Sequence, residues 1–241
     1  MKSNIKIVLV SIPLGAEIFF SCKGYLNKPP VGSLSPGVLA SKSGVDGLLI
    51  GAYSMLDGWA NGNTNQGGSY TSWETSSTNW VWGGIASDDA YKGSNTTDQP
   101  PAAPIENHSV DPSDEYLGEK WGFCYNAAQR ANDVIREIPL VTDGSITPAE
   151  AAEDIAEAKF LRGVYHLELA KLWRNVPYVN ETITYSAGNT NLPNPGPIWD
   201  SIEKDFTAAM AVLPKTQTEL GRATYYAAEA FLAGEKIQAR R

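Results

Sequence analysis

At 241 residues with a formal charge of −8, the chain is long enough to bury a sizeable core as one domain or two small ones. Its acidity excludes a phosphate-seeking surface, so nucleic acid is not an expected partner. Two Cys and two His without zinc spacing leave no metal or cofactor expected, and neither a phosphate-binding Gly-Lys-Ser/Thr loop nor a Gly-x-Ser-x-Gly elbow is present.

Lys2 and Lys6 begin the chain, Ile7 to Phe20 form a mostly apolar stretch, and the small residue Ser21 sits directly before Cys22. Residues 1–21 thus resemble a bacterial lipoprotein signal, with Cys22 the acylated first residue of the mature chain. An ordinary cleaved secretory signal or a short membrane anchor, with Cys22 incidental, is the alternative, because Pro13, Gly15 and Glu17 interrupt the stretch. The segment is also too short and broken to span a bilayer comfortably, and no later stretch is long and apolar enough to cross one. Removing residues 1–21, which carry two Lys and one Glu, takes the charge from −8 to −9. With Cys22 lipidated no internal disulfide is expected, and Cys124, beside an apolar helical stripe, reads as a buried inert thiol.

Residues 22–40 read as a tether, since Pro29, Pro30, Gly32, Pro36 and Gly37 disfavour regular structure. The domain follows over 41–241. Val45, Leu48, Ala52, Met55 and Trp59 share one face of a first helix, weakened by Gly47, Gly51 and Gly58. Asp111 as N-cap, with Pro112 and Asp114 behind it, opens a second helix. Trp121, Tyr125, Ala128, Ala131, Ile135 and Ile138 form its inward stripe until Pro139 stops it. Thr147, Pro148 and Glu150 form a capping box for a third, carrying Ile155, Leu161, Tyr165, Leu169 and Trp173 and ending near Val176 and Pro177. Ile198, Ile202, Phe206 and Ala209 mark a fourth helix that ends at Pro214, and a fifth begins near Arg222. Five helices without a strand-rich block predict an all-α fold of antiparallel, tetratricopeptide-like helix pairs.

The connection over about 60–110 is too long for an ordinary loop in a compact domain, which points to function. Trp73, Trp80 and Trp82 lie there in polar surroundings, followed by Ser87-Asp88-Asp89-Ala90-Tyr91-Lys92-Gly93. In an extended segment Trp80 and Trp82 point to the same side. Indole faces pack against the apolar C–H faces of sugar rings, and nearby carboxylates, amides and cations bind ring hydroxyls. Trp73, Trp80, Trp82, Asp88, Asp89, Tyr91 and Lys92 are therefore candidates for binding an oligosaccharide or polysaccharide. The alternative is that the indoles anchor the loop and the carboxylates shape it. Asp88 and Asp89, being adjacent, cannot face each other as the two carboxylates of a glycoside hydrolase, and no calcium-loop pattern surrounds them. His166 and Glu168 lie in a packed helix, where a satisfied structural histidine is the expected role.

The run EAKFLRGVYHLELAKLWRNVP from Glu157 to Pro177 closely resembles the signature helix of the SusD/RagB family of outer-membrane lipoproteins. Ser21-Cys22 before Tyr25 to Pro30, Leu49 to Tyr53, Gly84 to Gly93, Trp199 to Leu213 and Gly221-Arg222-Ala223-Thr224 agree with it in order. The resemblance implies a helical body carrying an irregular, ligand-facing loop. It also implies a non-catalytic, glycan-binding lipoprotein on the outer face of the outer membrane that passes oligosaccharide to a SusC-type TonB-dependent transporter. Relative to that family the chain reads as truncated, with lowered stability and an exposed apolar face expected. Gly163 stands where Ala is commoner in that helix, which reads as a minor weakening. The competing functions are a secreted glycoside hydrolase or its accessory domain, and a helical adaptor that binds only protein.

Overall fold

The computed structural model describes residues 36–58, 75, 80–93, 95–194 and 196–240. Cys22, Trp59 and Trp73 lie outside the described residues, as do the leader and the tether up to residue 35. The last residues assigned to the tether form a single helical turn, α1 (Pro36–Leu39). Ser41 then caps α2 (Lys42–Tyr53), its Oγ accepting from the Gly44 N–H at 3.2 Å. Gly44 is required by this tight entry, since a Cβ there would stand 2.3 Å from the Leu39 carbonyl oxygen. A 3₁₀ turn (Ser54–Asp57) extends α2 and buries Met55.

The long connection is not structureless: it holds a π-helical turn (Trp80–Ile85) and a short helix, α3 (Ala102–Glu106). Three long elements follow the expected plan, α4 (Glu115–Glu137), α5 (Pro148–Trp173) and α6 (Trp199–Met210), and α7 (Tyr225–Ala239) ends the series. The start of α4 differs from expectation. Asp114 caps it, accepting from the Tyr116 N–H at 2.9 Å, whereas Asp111 accepts from the N–H and Oγ of Ser113 in a preceding turn. An Asp side chain stabilises a turn as readily as a helix start, so Asp111 serves the first of two consecutive caps. The box at Thr147 and Glu150 forms as expected, with reciprocal bonds of 3.2 and 2.8 Å.

Sequential helices pack on one another, α2 on α4, α4 on α5, α5 on α6 and α6 on α7. Lys120 of early α4 pairs with Glu168 of late α5, while Asn132 of late α4 bonds Arg162 near the middle of α5, so α4 and α5 run antiparallel. No strand occurs among the described residues, and the architecture is the all-α, tetratricopeptide-like stack of hairpins. The inward face of α4 is rotated from expectation. Ala128, Ala131, Ile135 and Ile138 are buried, but Trp121 is 37% exposed and its place is taken by Lys120, Phe123 and Cys124. Cys124 is an inert core thiol, pushed up to about 12 by burial.

α5 is the central helix, buried on every side from Phe160 to Ala170. A helix so enclosed carries polar residues only where each finds a partner. Arg162 binds Asp205 of α6 through two bonds of 2.9 and 2.6 Å and also reaches Asn132 and Glu181. Burial alone would lower its pKa, but these bonded carboxylates raise it further above the usual guanidinium range. His166 accepts from the Val179 N–H through Nε2 at 3.1 Å, which places its proton on Nδ1, facing the Arg162 carbonyl at 3.0 Å. It is a satisfied structural histidine, as expected.

Gly163 is not a weakening. A Cβ on it would lie 2.7 Å from Cε1 of Phe206, so the missing side chain is what lets α6 approach α5. Phe206 is wholly buried between Phe160 and Phe231, which leaves the ring no room to yield. Beyond this contact, α7 leaves Tyr226, Phe231 and Ile237 exposed.

Candidate functional site

The segment carrying most candidate residues folds back over the start of α4. Val81 and Ile85, four residues apart, are both buried in the π-helical turn, and Val81 joins Ala102, Ile105 and Tyr116 in a small second core. This turn closes through Ala86 N–H to the Val81 carbonyl at 3.2 Å, and the His108 ring is bonded to the Ala86 carbonyl oxygen at 2.9 Å. Apolar burial four residues apart selects a helical turn over the extended form in which Trp80 and Trp82 share a side.

The two indoles therefore separate. Trp82 packs half-buried on the second core, whereas Trp80 is 37% exposed. Asp88 takes a left-handed backbone conformation (φ 65°) and is exposed, which suits Asp in a turn. Asp89 accepts from the Ser87 hydroxyl at 3.1 Å, and Lys92 donates to the Asn95 carbonyl at 3.0 Å. Tyr91 stands out into solvent at 78% exposure.

Two of the candidates, Trp82 and Asp89, meet at an open cleft of about 670 Å³, where Ser87 joins them from the same segment. Across from them the cleft is walled by Glu168, Lys171 and Leu172 at the end of α5 and by Gln238 of α7. Trp80, Asp88, Tyr91 and Lys92 do not line it. Glu168 is held in place by two cations: Lys171, one turn further along α5, and Lys120, a wholly buried lysine 3.4 Å away. Lys120 also donates to the Thr75 carbonyl at 3.3 Å, tying the long connection to the same ion pair.

An indole wall beside fixed carboxylates, an ammonium and an amide can hold an uncharged polyhydroxylated ligand, ring faces against Trp82 and hydroxyls on the polar rim. Lys120, Lys171 and Gln238 escaped the sequence reading, and Glu168 was read only as part of a packed helix. One signal for Lys120 was available: it lies four residues after Tyr116 and three before Phe123 on a buried stripe, where a charge requires a partner.

Hairpins stacked on a buried central helix, with a folded-back segment presenting an aromatic and polar cleft, define an all-α, tetratricopeptide-like protein. Residues 25–234 match the SusD-like family described as starch-binding, associating with the outer membrane, and the chain belongs to that family. A SusD-like protein of Bacteroides ovatus is 28% identical over 121 residues, covering 50% of this chain and 22% of the relative. Among solved structures, a SusD-like protein of Bacteroides fragilis superposes with a TM-score of 0.64 at 20% identity, over 87% of this chain and 37% of its own. Surface glycan-binding protein A of Bacteroides uniformis gives 0.65 at 22%, over 81% and 41%, and a laminarin-binding SusD-like protein gives 0.63 at 21%, over 82% and 40%. At these identities the structural likeness establishes the fold. The chain spans about two fifths of these solved relatives at most.

Proposed function

We propose that this protein is a cell-surface glycan-binding subunit that captures oligosaccharide at the cleft beside Trp82 and delivers it to a SusC-type TonB-dependent transporter. The acylated Cys22 anchors it on the outer face of the outer membrane. The observation that carries this reading is the meeting of Trp82 with Asp89, Glu168, Lys171 and Gln238 at one open cleft, in a chain of the SusD-like family. Trp80, Asp88 and Tyr91, exposed beside the cleft's segment, and the half-buried Lys92 extend the contact to a longer chain; Trp73 remains a candidate from its sequence position alone. The role is non-catalytic, a reading supported by membership of a family described as starch-binding.

Electrophoresis through gels containing laminarin, starch or xyloglucan tests the reading. The protein is retarded by at least one, and Trp82→Ala or Gln238→Ala weakens that retention about tenfold, the loss of about 1.4 kcal/mol. Trp82→Phe, which keeps the packing on Val81 and Tyr116, distinguishes lost binding from lost folding. Unchanged retention in Trp82→Ala and Gln238→Ala refutes the assigned cleft. Fatty-acid labelling that persists in Cys22→Ala refutes the anchor, and failure to co-purify with a transporter refutes the delivery step.

A further inference from the structure

The segment between α5 and α6 carries a second groove, whose lining is separate from that of the cleft at Trp82. Three donors from one face of α4 grip this segment: Tyr125 Oη to the Pro177 carbonyl at 2.9 Å, Asn132 Nδ2 to that of Val179 at 3.0 Å, and Arg136 Nη1 to that of Glu181 at 3.0 Å. Alternate carbonyls of residues 177–181 thus point at the helix while the chain runs beside it. His166 holds the same stretch from behind through the Val179 N–H. The outer part is braced internally, Asn189 accepting from Thr184 N–H at 2.9 Å and donating to the Thr182 carbonyl at 2.9 Å. The groove of about 610 Å³ between this segment and α4 is therefore pre-formed.

Its lining combines Tyr125 and Tyr185 with Ile183 and Leu192, and with the amides of Asn126 and Gln129. Tyr185 is 92% exposed at the groove's edge. Trp121, 4.9 Å from Tyr125 between ring centroids, continues the aromatic surface along α4. The amides are half used: Asn126 accepts from Arg130 and Gln129 donates to Asp133, leaving Asn126 Nδ2 and Gln129 Oε1 without partners among the described residues. The lining's one charged side chain, Arg136, is spent on Asp133 and the Glu181 carbonyl. A groove with aromatic and aliphatic walls, a free donor, a free acceptor and no unpaired charge matches an uncharged ligand whose apolar faces alternate with hydroxyls.

We infer that this groove is a second saccharide site, taking a neutral oligosaccharide along α4 with rings against Tyr125 and Tyr185 and hydroxyls on Asn126 and Gln129. It goes beyond the proposed function, and it shares no residue with the cleft at Trp82.

The test titrates maltohexaose, laminarihexaose, cellohexaose and xylohexaose into the isotopically labelled Trp82→Ala protein, following the side-chain amide resonances of Asn126 and Gln129 by NMR. At least one hexasaccharide shifts both resonances saturably, and Tyr185→Ala weakens that titration about tenfold, as loss of about 1.4 kcal/mol requires. Tyr185 is almost fully exposed, so this variant folds as the parent does. Resonances that stay still with all four sugars overturn the proposal. So does a titration that Tyr185→Ala leaves unchanged, or a shift produced by an extended Tyr- and Leu-containing peptide and by no sugar. Because Trp82 is absent throughout, failure of the cleft and failure of the groove are read separately.

Discussion

Gly163→Ala is the sharpest test of how α5 and α6 meet. On helix propensity alone the change is favourable by about 1 kcal/mol. The new methyl, however, would stand 2.7 Å from Phe206 Cε1 and 3.1 Å from two further ring atoms. Phe206 is fully buried, with Phe160 and Phe231 at ring-centroid distances of 6.0 and 5.9 Å, so the clash moves helices rather than a ring. Overpacking of this kind costs about 1–3 kcal/mol, and a contact this close against a ring that cannot yield belongs at the upper end. The net is a destabilisation of about 1–2 kcal/mol, seen as a fall of roughly 2–8 °C in Tm for a domain of this size. Urea denaturation of four proteins, the parent, Gly163→Ala, Phe206→Leu and the double variant, measures the coupling directly. In the Phe206→Leu background, where the ring is gone, Gly163→Ala becomes neutral or stabilising. A Gly163→Ala protein as stable as its parent, or a penalty that persists without the ring, refutes the argument.

Acid sensitivity follows from His166, whose burial drives it down to about 3 from the ordinary 6.5. The unfolded chain takes up a proton below pH 6.5 that the folded one refuses until about pH 3, so stability is complete above this window and falls as pH drops through it. Between pH 7 and pH 5 the loss is about 2 kcal/mol, and His166→Gln removes that part of the slope in denaturation measured across pH. A parent and variant with the same slope exclude this origin. Arg162→Met strands Asp205 in the core beside Tyr178 and costs about 3–5 kcal/mol, whereas Arg162→Met combined with Asp205→Leu recovers much of it in the same assay. Equal stability of the single and double variants would show that the pair is not coupled.

Local chemistry made the helices legible. The capping box at Thr147 and Glu150, the apolar spacing through Ile198, Ile202 and Phe206, and the stop at Pro139 depend on residues within a turn or two of one another, and all three stand in the structure. The candidate site was half legible. Trp82 and Asp89 reach the cleft, but their partners Glu168, Lys171 and Gln238 lie 79 or more positions away, and nothing near Trp82 announces them. The extended reading of Trp80-Val81-Trp82 failed for a related reason: those residue types favour strand locally, while burial of both Val81 and Ile85, with Val81 packed among Ala102, Ile105 and Tyr116, demands a helical turn.

The sequence by itself determined an all-α chain of helix pairs, the positions of most helix ends, and a run from Glu157 to Pro177 specific enough to indicate the family. Each of these is set by short-range spacing, which a linear string records. Tertiary structure alone decided what the buried polar groups do. Lys120 meets Glu168, Arg162 meets Asp205, and the carbonyls of Pro177, Val179 and Glu181 meet donors from α4. It also reversed the reading of Gly163, whose intrinsic penalty in a helix is outweighed by the Phe206 ring lying where its side chain would be. Such pairings bring together residues dozens of positions apart, and their energy exists only once the helices have packed and excluded water.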